Sequence, residues 1–144
     1  MGVVDAMTVR VVTAKPDETV QDAIGRMLAA QVGSVAVCDG SRLAGIFTER
    51  DVMRLAGESA DFGHRRLADV MTTKLYVVGP DDDVVSAARL MQEKKIRHLP
   101  VVQDGNVLGI LGIREVLRTL VERLWSNHDA DARETARDLL RRGA

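Results

Sequence analysis

The amino-acid sequence predicts a mixed α/β fold. A strand–helix–strand–strand–helix unit occurs twice, and the two copies pack as one pseudo-two-fold module. Three observations predict it: the chain repeats itself at a constant offset, both copies pass through the same order of hydrophobic periodicities, and each copy is small for an independent core. Asp5-Ala6-Met7-Thr8 recurs as Asp69-Val70-Met71-Thr72, an offset of 64 residues. At that offset Pro16-Asp17 recurs as Pro80-Asp81, Val20 as Val84, Ala23 as Ala87, Met27 as Met91 and Val37 as Val101. So do Gly45-Ile46 as Gly109-Ile110, Arg50 as Arg114 and Val52 as Val116. A period this long excludes the solenoid repeats.

The elements of the first copy follow in order. Val11-Val12-Thr13 is a short β-rich run stopped by Pro16, which cannot continue a ladder. Asp17 to Thr19 supplies helix-capping side chains. Val20, Ala23, Ile24, Met27 and Leu28 then fall on one helical face, and Gly33 ends the helix. Val35 to Cys38 reads as a buried strand, Asp39-Gly40 as a tight turn and Leu43 to Phe47 as the next strand. A second helix starts from Thr48, with Val52, Leu55 and Ala56 facing inward.

The second copy repeats this order. Val84, Ala87, Ala88 and Met91 mark its first helix, and Asp104-Gly105 splits the strands Leu99 to Val102 and Val107 to Leu111. Its last helix is longer, with a wide apolar stripe of Val116, Leu117, Leu120, Val121 and Leu124. The expected organisation is a first repeat over 1–58, a polar loop over 59–68, a second repeat over 69–126 and a tail over 127–144. In the tail, Asp129 to Arg142 fits a final helix with Ala132, Ala136, Leu139 and Leu140 on one face. That narrow stripe is compatible with folding back, pairing with a partner, or fraying.

Composition removes several function classes. A net charge of −1 argues against a nucleic-acid binder that works by bulk charge, because phosphate neutralisation needs a basic surface. One cysteine, Cys38, permits no internal disulfide, and its apolar run reads as a buried small hydrophobe. No run approaches a membrane span and Met1 to Arg10 has no leader-like apolar region, so a cytoplasmic location is expected. His64, His98 and His128 show no ligand spacing, so no metal site is expected. No nucleophile elbow, P-loop or dinucleotide fingerprint is present, and no enzyme is expected. Asp81-Asp82-Asp83 reads as support for the positive end of the following helix. Trp125 reads as a packing or interface anchor.

The chemistry concentrates in Gly45-Ile46-Phe47-Thr48-Glu49-Arg50-Asp51. A strand gives way to a helix at Thr48. A helix N-terminus offers unpaired N–H groups and positive dipole to a phosphate. Asp51, acceptor-only when ionised, suits a ribose diol. The same spacing also makes a capping box that needs no ligand, and the two readings are compatible. In the second copy Gly112 stands for Thr48 and Glu115 for Asp51, which predicts one competent site and a second that is weak or empty. Lys94, Lys95, Arg97 and His98 crowd a helix-to-strand junction. The first copy has Ala30, Gln31, Gly33 and Ser34 there, so the charge is one-sided.

Gly-Ile-Phe-Thr-Glu-Arg-Asp resembles the signature of cystathionine-β-synthase (CBS) domains. Asp5-Ala6-Met7-Thr8 and Lys95-Ile96-Arg97-His98-Leu99-Pro100-Val101 resemble further motifs of that family. The duplication resembles the paired arrangement called a Bateman module, over about residues 3 to 125. The resemblance implies a regulatory module that binds AMP, ADP, ATP, S-adenosylmethionine or NAD in a cleft between the repeats. Asp51 would hold the ribose, Thr48 would lie near phosphate, and Thr13 and its neighbours near the base. The implied ligand-binding set is Thr13, Val35, Thr48, Arg50, Asp51, Lys95, Arg97 and His98. No cofactor is implied beyond the regulatory ligand. A homodimer through the helices and an unknown regulated protein are expected as partners. The alternative is an interaction or scaffold module without a nucleotide.

Overall fold

The structure is a computed structural model that describes residues 2–7, 11–127 and 130–142. Thr8, His128 and Asp129, which the sequence reading used, lie outside the described residues. Among those described, seven helices and five strands alternate in a mixed α/β order. They form two units, which are not simply the two sequence repeats. The leading unit is Val11–Leu75 with Asp104–Val107; the trailing unit is Met1–Arg10, Tyr76–Gln103 and Leu108–Ala144.

In the leading unit, β1 (Thr13–Ala14) pairs in parallel with β2 (Ser34–Asp39), joined by α2 (Val20–Ala30). Thr19 caps α2 reciprocally. Its hydroxyl accepts from Asp22 N at 3.1 Å, and its own N–H donates to Asp22 Oδ2 at 3.1 Å. The helix ends earlier than Gly33: Gln31 adopts the left-handed conformation at φ 56° and closes the last turn. A glycine is favoured there but not required, since the turn's hydrogen bonds hold a residue with a Cβ in place. Leu28, expected inward, is 75 % exposed, because burial falls on Val20, Ala23 and Met27.

β2 turns into β3 (Arg42–Thr48) through Gly40-Ser41, one residue later than expected, with Gly40 at φ 64°. β3 runs straight into α3 (Glu49–Gly57), whose Leu55 is fully buried and whose Ala56, expected inward, is exposed. The loop after α3 returns to α4 (Leu67–Val70), too short for periodicity to reveal. Thr72 then bridges Ile46 of β3, with N···O distances of 3.0 Å in both directions. This is why Gly45 is glycine: a Cβ there would lie 3.0 Å from the Thr72 carbonyl and 2.5 Å from Met71 Sδ. Val35, Val37, Phe47, Leu55 and Leu67 centre the core.

The trailing unit repeats the plan with α5 (Val84–Lys94), β4 (His98–Gln103), β5 (Asn106–Gly112) and α6 (Ile113–Asn127). The turn between β4 and β5 is Asp104-Gly105, with φ of 54° and 82°, the double positive φ of a type I′ hairpin. The first strand expected in this copy shrinks to a single parallel bridge, Val78 to Val101. The acidic run supports α5 as expected: Asp83 Oδ2 accepts from Val85 N at 3.1 Å. α1 (Val3–Ala6) docks here, with Val3 N donating to Asp82 O at 2.7 Å. Of the open alternatives for the tail, the described residues fold back. α7 (Ala130–Arg141) packs on α5 and α6 through Ala132, Thr135, Ala136 and Leu139, while Leu140 is exposed.

Two outcomes test this core. Phe47→Ala is expected to lower unfolding free energy by about 3–5 kcal/mol, the cost of emptying a fully buried aromatic site; a urea midpoint close to wild type would contradict it. Cys38 is 6 % exposed, and burial pushes its thiol pKa up, so the nucleophilic thiolate is disfavoured. Labelling by a thiol-reactive disulfide reagent at pH 8 should therefore be slow until the chain is unfolded. Immediate labelling of folded protein would contradict the placement.

Candidate functional site

In the leading unit, Thr48 is the last residue of β3 and the N-cap of α3, and Ser34 lies opposite it in register. Asp51 is one turn into the helix and only 8 % exposed. Thr48 N–H donates to Asp51 Oδ2 at 2.9 Å, and the Thr48 hydroxyl makes a longer contact to the same oxygen at 3.4 Å. Arg54 Nη2 stands 3.5 Å from Asp51 Oδ1 and donates to Val70 O at 3.2 Å. The carboxylate therefore caps the helix and faces a cation, yet a carboxylate offers about four lone-pair sites. Acceptor capacity remains at Oδ1. Arg54 was missed by the sequence reading; its spacing of three residues from Asp51 on one helix face was the available signal.

The neighbouring candidates have distinct positions. Thr13 is exposed, and its carbonyl accepts from Arg26 Nη1 at 2.9 Å. Arg26 is itself ion-paired to Glu18, which raises its pKa. Val35 is fully buried in the leading core, where it holds β2 against Phe47 of β3. Arg50 is exposed in the first turn of α3. Lys95, Arg97 and His98 belong to the trailing unit. Lys95 takes the left-handed conformation that ends α5, and Arg97 is exposed. Lys94 lies over the Tyr76 ring, 5.1 Å from its centroid.

The duplication extends to single hydrogen bonds. Glu49 N donates to Gly33 O at 3.0 Å, and 64 residues later Ile113 N donates to Arg97 O at 2.9 Å. On this common frame the side chains differ. A Cβ on Gly112 would collide with Glu115 Oε2 and would lie 3.7 Å from His98 Cδ2. The longer Glu115 therefore curls into the space that a side chain at 112 would need.

Among the described residues, no group of three or more metal-ligating side chains converges, and no helix is long and apolar enough to cross a membrane. His64, in the loop before α4, sits 2.6 Å from Asp61 and holds that exposed carboxyl below its usual range.

The CBS domain model matches residues 3–58 and 67–122, so the repeats that share the capped helix start are both instances of one family unit. This chain belongs to the CBS domain family. Among its relatives, the CBS domain-containing protein YhcV of Bacillus subtilis is 33 % identical over 116 residues, covering 80 % of this chain and 82 % of YhcV. The structure of a signal-transduction protein with CBS domains from Burkholderia ambifaria superposes with a TM-score of 0.80 at 28 % identity, covering 85 % and 95 % of the two chains. The CBS domain pair of protein MJ0100, solved in complex with 5′-methylthioadenosine and S-adenosyl-L-methionine, gives a TM-score of 0.79 at 21 % identity. It covers 85 % of this chain and 98 % of that one, a likeness of fold.

This packing makes a direct prediction. Gly112→Thr should change the unfolding free energy by less than about 1 kcal/mol, because the only atom in the way is the far end of the flexible Glu115 side chain, which can turn aside, and threonine caps a helix start at least as well as glycine. Adding Glu115→Asp should change little further. Urea unfolding of the two variants checks it, and a loss in the single variant that the double variant recovers would show that the end of Glu115 is held in place.

Proposed function

We propose that this CBS pair is a regulatory module that senses an adenine nucleotide or related adenosyl ligand, with one competent site per chain built around Thr48 and Asp51. The observation that carries the reading is Asp51. It is a nearly buried carboxylate at the start of α3, held by Thr48 and Arg54 and keeping acceptor capacity that suits a ribose hydroxyl. The N-terminus of α3 and the Thr48 hydroxyl suit an anionic group beside it. The 5′-methylthioadenosine and S-adenosyl-L-methionine bound by the MJ0100 pair support the adenosyl class. Glu115, curled over Gly112, supports leaving the second site weak or empty.

A sensor of this kind acts by linkage: a ligand that prefers one state of the protein shifts the population toward it. The chain works as a homodimer in the cytoplasm, and its output is a change read by a regulated protein rather than catalysis. A second reading draws on the same carboxylate. Because Asp51 is already engaged by Thr48 and Arg54, it could act as a cap alone in a module that binds only other proteins.

Thermal unfolding with AMP, ADP, ATP, S-adenosylmethionine or NAD separates these readings. A ligand at 100 times its Kd should add about 2.7 kcal/mol to the wild type. Asp51→Ala should lose that gain, and calorimetry should count one ligand per chain. No stabilisation by any of the five would discard the sensor reading in favour of the interaction module. Equal occupancy of two sites would discard the single-site assignment.

A further inference from the structure

Trp125 anchors no packing within the chain: it is 85 % exposed on α6. Arg114, Arg118, Val121 and Trp125 follow one another at spacings of four, three and four residues, which sets them along one face of that helix, and all four are exposed. The opposite face carries Val116 and Leu120 into the core. At the 64-residue offset the corresponding residues are Arg50, Arg54, Gly57 and Asp61. The trailing copy keeps the two arginines and puts large apolar side chains where the leading copy has a small and an acidic residue. Water alone favours the opposite exchange.

α7 widens this face. Asp131 is paired with Arg89 of α5, which turns the stripe of Asp131, Glu134 and Asp138 toward α5. The other flank of α7, on the side of α6, carries Arg137 and Leu140, and Leu140 is 71 % exposed. Arg26, Arg54, Arg89 and Arg123 each meet a carboxylate. Among the described residues, Arg114, Arg118 and Arg137 meet none. Glu122 borders the row on α6 and is itself engaged, so the face as a whole is basic. Two helices of one unit thus bring unpaired guanidinium groups together with exposed apolar side chains.

We propose that this face of α6 and α7 docks on an anionic phospholipid surface. Guanidinium groups match phosphate in charge and geometry. An indole, apolar in body with one N–H, sits at the level of lipid headgroups. Val121 and Leu140 fit the apolar boundary beneath them. A bilayer offers phosphates over an apolar layer, which is the combination this face presents in complement. A nucleic acid offers phosphates as well, but aliphatic side chains give its bases no stacking surface, and a chain of net charge −1 has no bulk attraction for it. Neither the adenosyl ligand nor the pairing of copies enters this inference.

Trp125 is the chain's one tryptophan and reports directly on this face. Full-length protein is titrated with vesicles of phosphatidylglycerol and phosphatidylcholine, with tryptophan emission and co-sedimentation as readouts. Wild type should bind, with its emission shifted to the blue. It should bind neither pure phosphatidylcholine vesicles nor the mixed vesicles at about 1 M salt, where the Debye length falls to about 3 Å. Arg114→Gln with Arg118→Gln should weaken binding about thirtyfold, at about 1 kcal/mol for each arginine near an anionic surface. Its circular dichroism should be unchanged, since both positions are exposed. Arg42→Gln with Arg66→Gln, at exposed positions of the leading unit, should bind like wild type. Wild type that leaves the vesicles unbound, an Arg114/Arg118 variant that binds undiminished, or an Arg42/Arg66 variant weakened equally would each overturn the assignment. So would blue emission before any vesicle is added, which would mean that Trp125 is covered in solution. Equal affinity for a single-stranded oligonucleotide would reassign the face to nucleic acid. Stabilisation by adenosyl ligands is scored without vesicles, so failure of the sensor reading and failure of the docking surface are told apart.

Discussion

The site proposed for this chain hangs on how a strand is turned into a helix. In each unit a residue in left-handed conformation, Gln31 or Lys95, ends one helix and starts the path into the next strand. Two residues later a carbonyl, that of Gly33 or Arg97, accepts the first N–H of the following helix. That one hydrogen bond joins the start of the strand to the start of the next helix. It uses one of the helix's otherwise unpaired donors, and in α3 the Thr48 side chain takes another, the N–H of Asp51. The side chains at Thr48 and Asp51, or at Gly112 and Glu115, then decide what the frame can do.

Most of the architecture could be read from the sequence, because a constant offset and alternating apolar patterns are strong signals. The hairpin tip Asp104-Gly105 was explicit, since the type I′ turn demands residues that tolerate positive φ. What escaped has physical reasons. α1 and α4 have four residues each, less than the span periodicity needs, and are fixed by backbone bonds such as that from Val3 to Asp82. Leu28, Ala56 and Leu140 match an apolar stripe yet point outward, because a pattern cannot say where covering chain stops. α7 illustrates the converse: its narrow, alanine-rich stripe is enough because small side chains let it lie close to α5 and α6.

Of the proposed site, Thr48 and Asp51 were picked out by their spacing, and they form the capping box that spacing predicts; Arg54 stands beside them and binds both Asp51 and the Val70 carbonyl. The full burial of Val35 followed from its apolar strand, but such a run has the same chemistry whether it faces the core or a ligand, so its spacing alone says nothing of a contact. The substitution of Gly112 and Glu115 was visible, but the resting place of the Glu115 carboxylate, beside Gly112, is a matter of three-dimensional packing.

The crossing of short segments between units has a consequence for how the protein is made. Val3–Ala6 is counted with the trailing unit, and its backbone partners Pro80 and Asp82 lie far along the chain. At a synthesis rate of about 5–20 residues per second, the first helix leaves the ribosome seconds before anything exists for it to dock against. Leu67–Val70 has its own site, around Pro16 and Glu18, already waiting. The leading unit can thus assemble much of itself during translation, while the trailing unit depends on an early segment that has remained undocked.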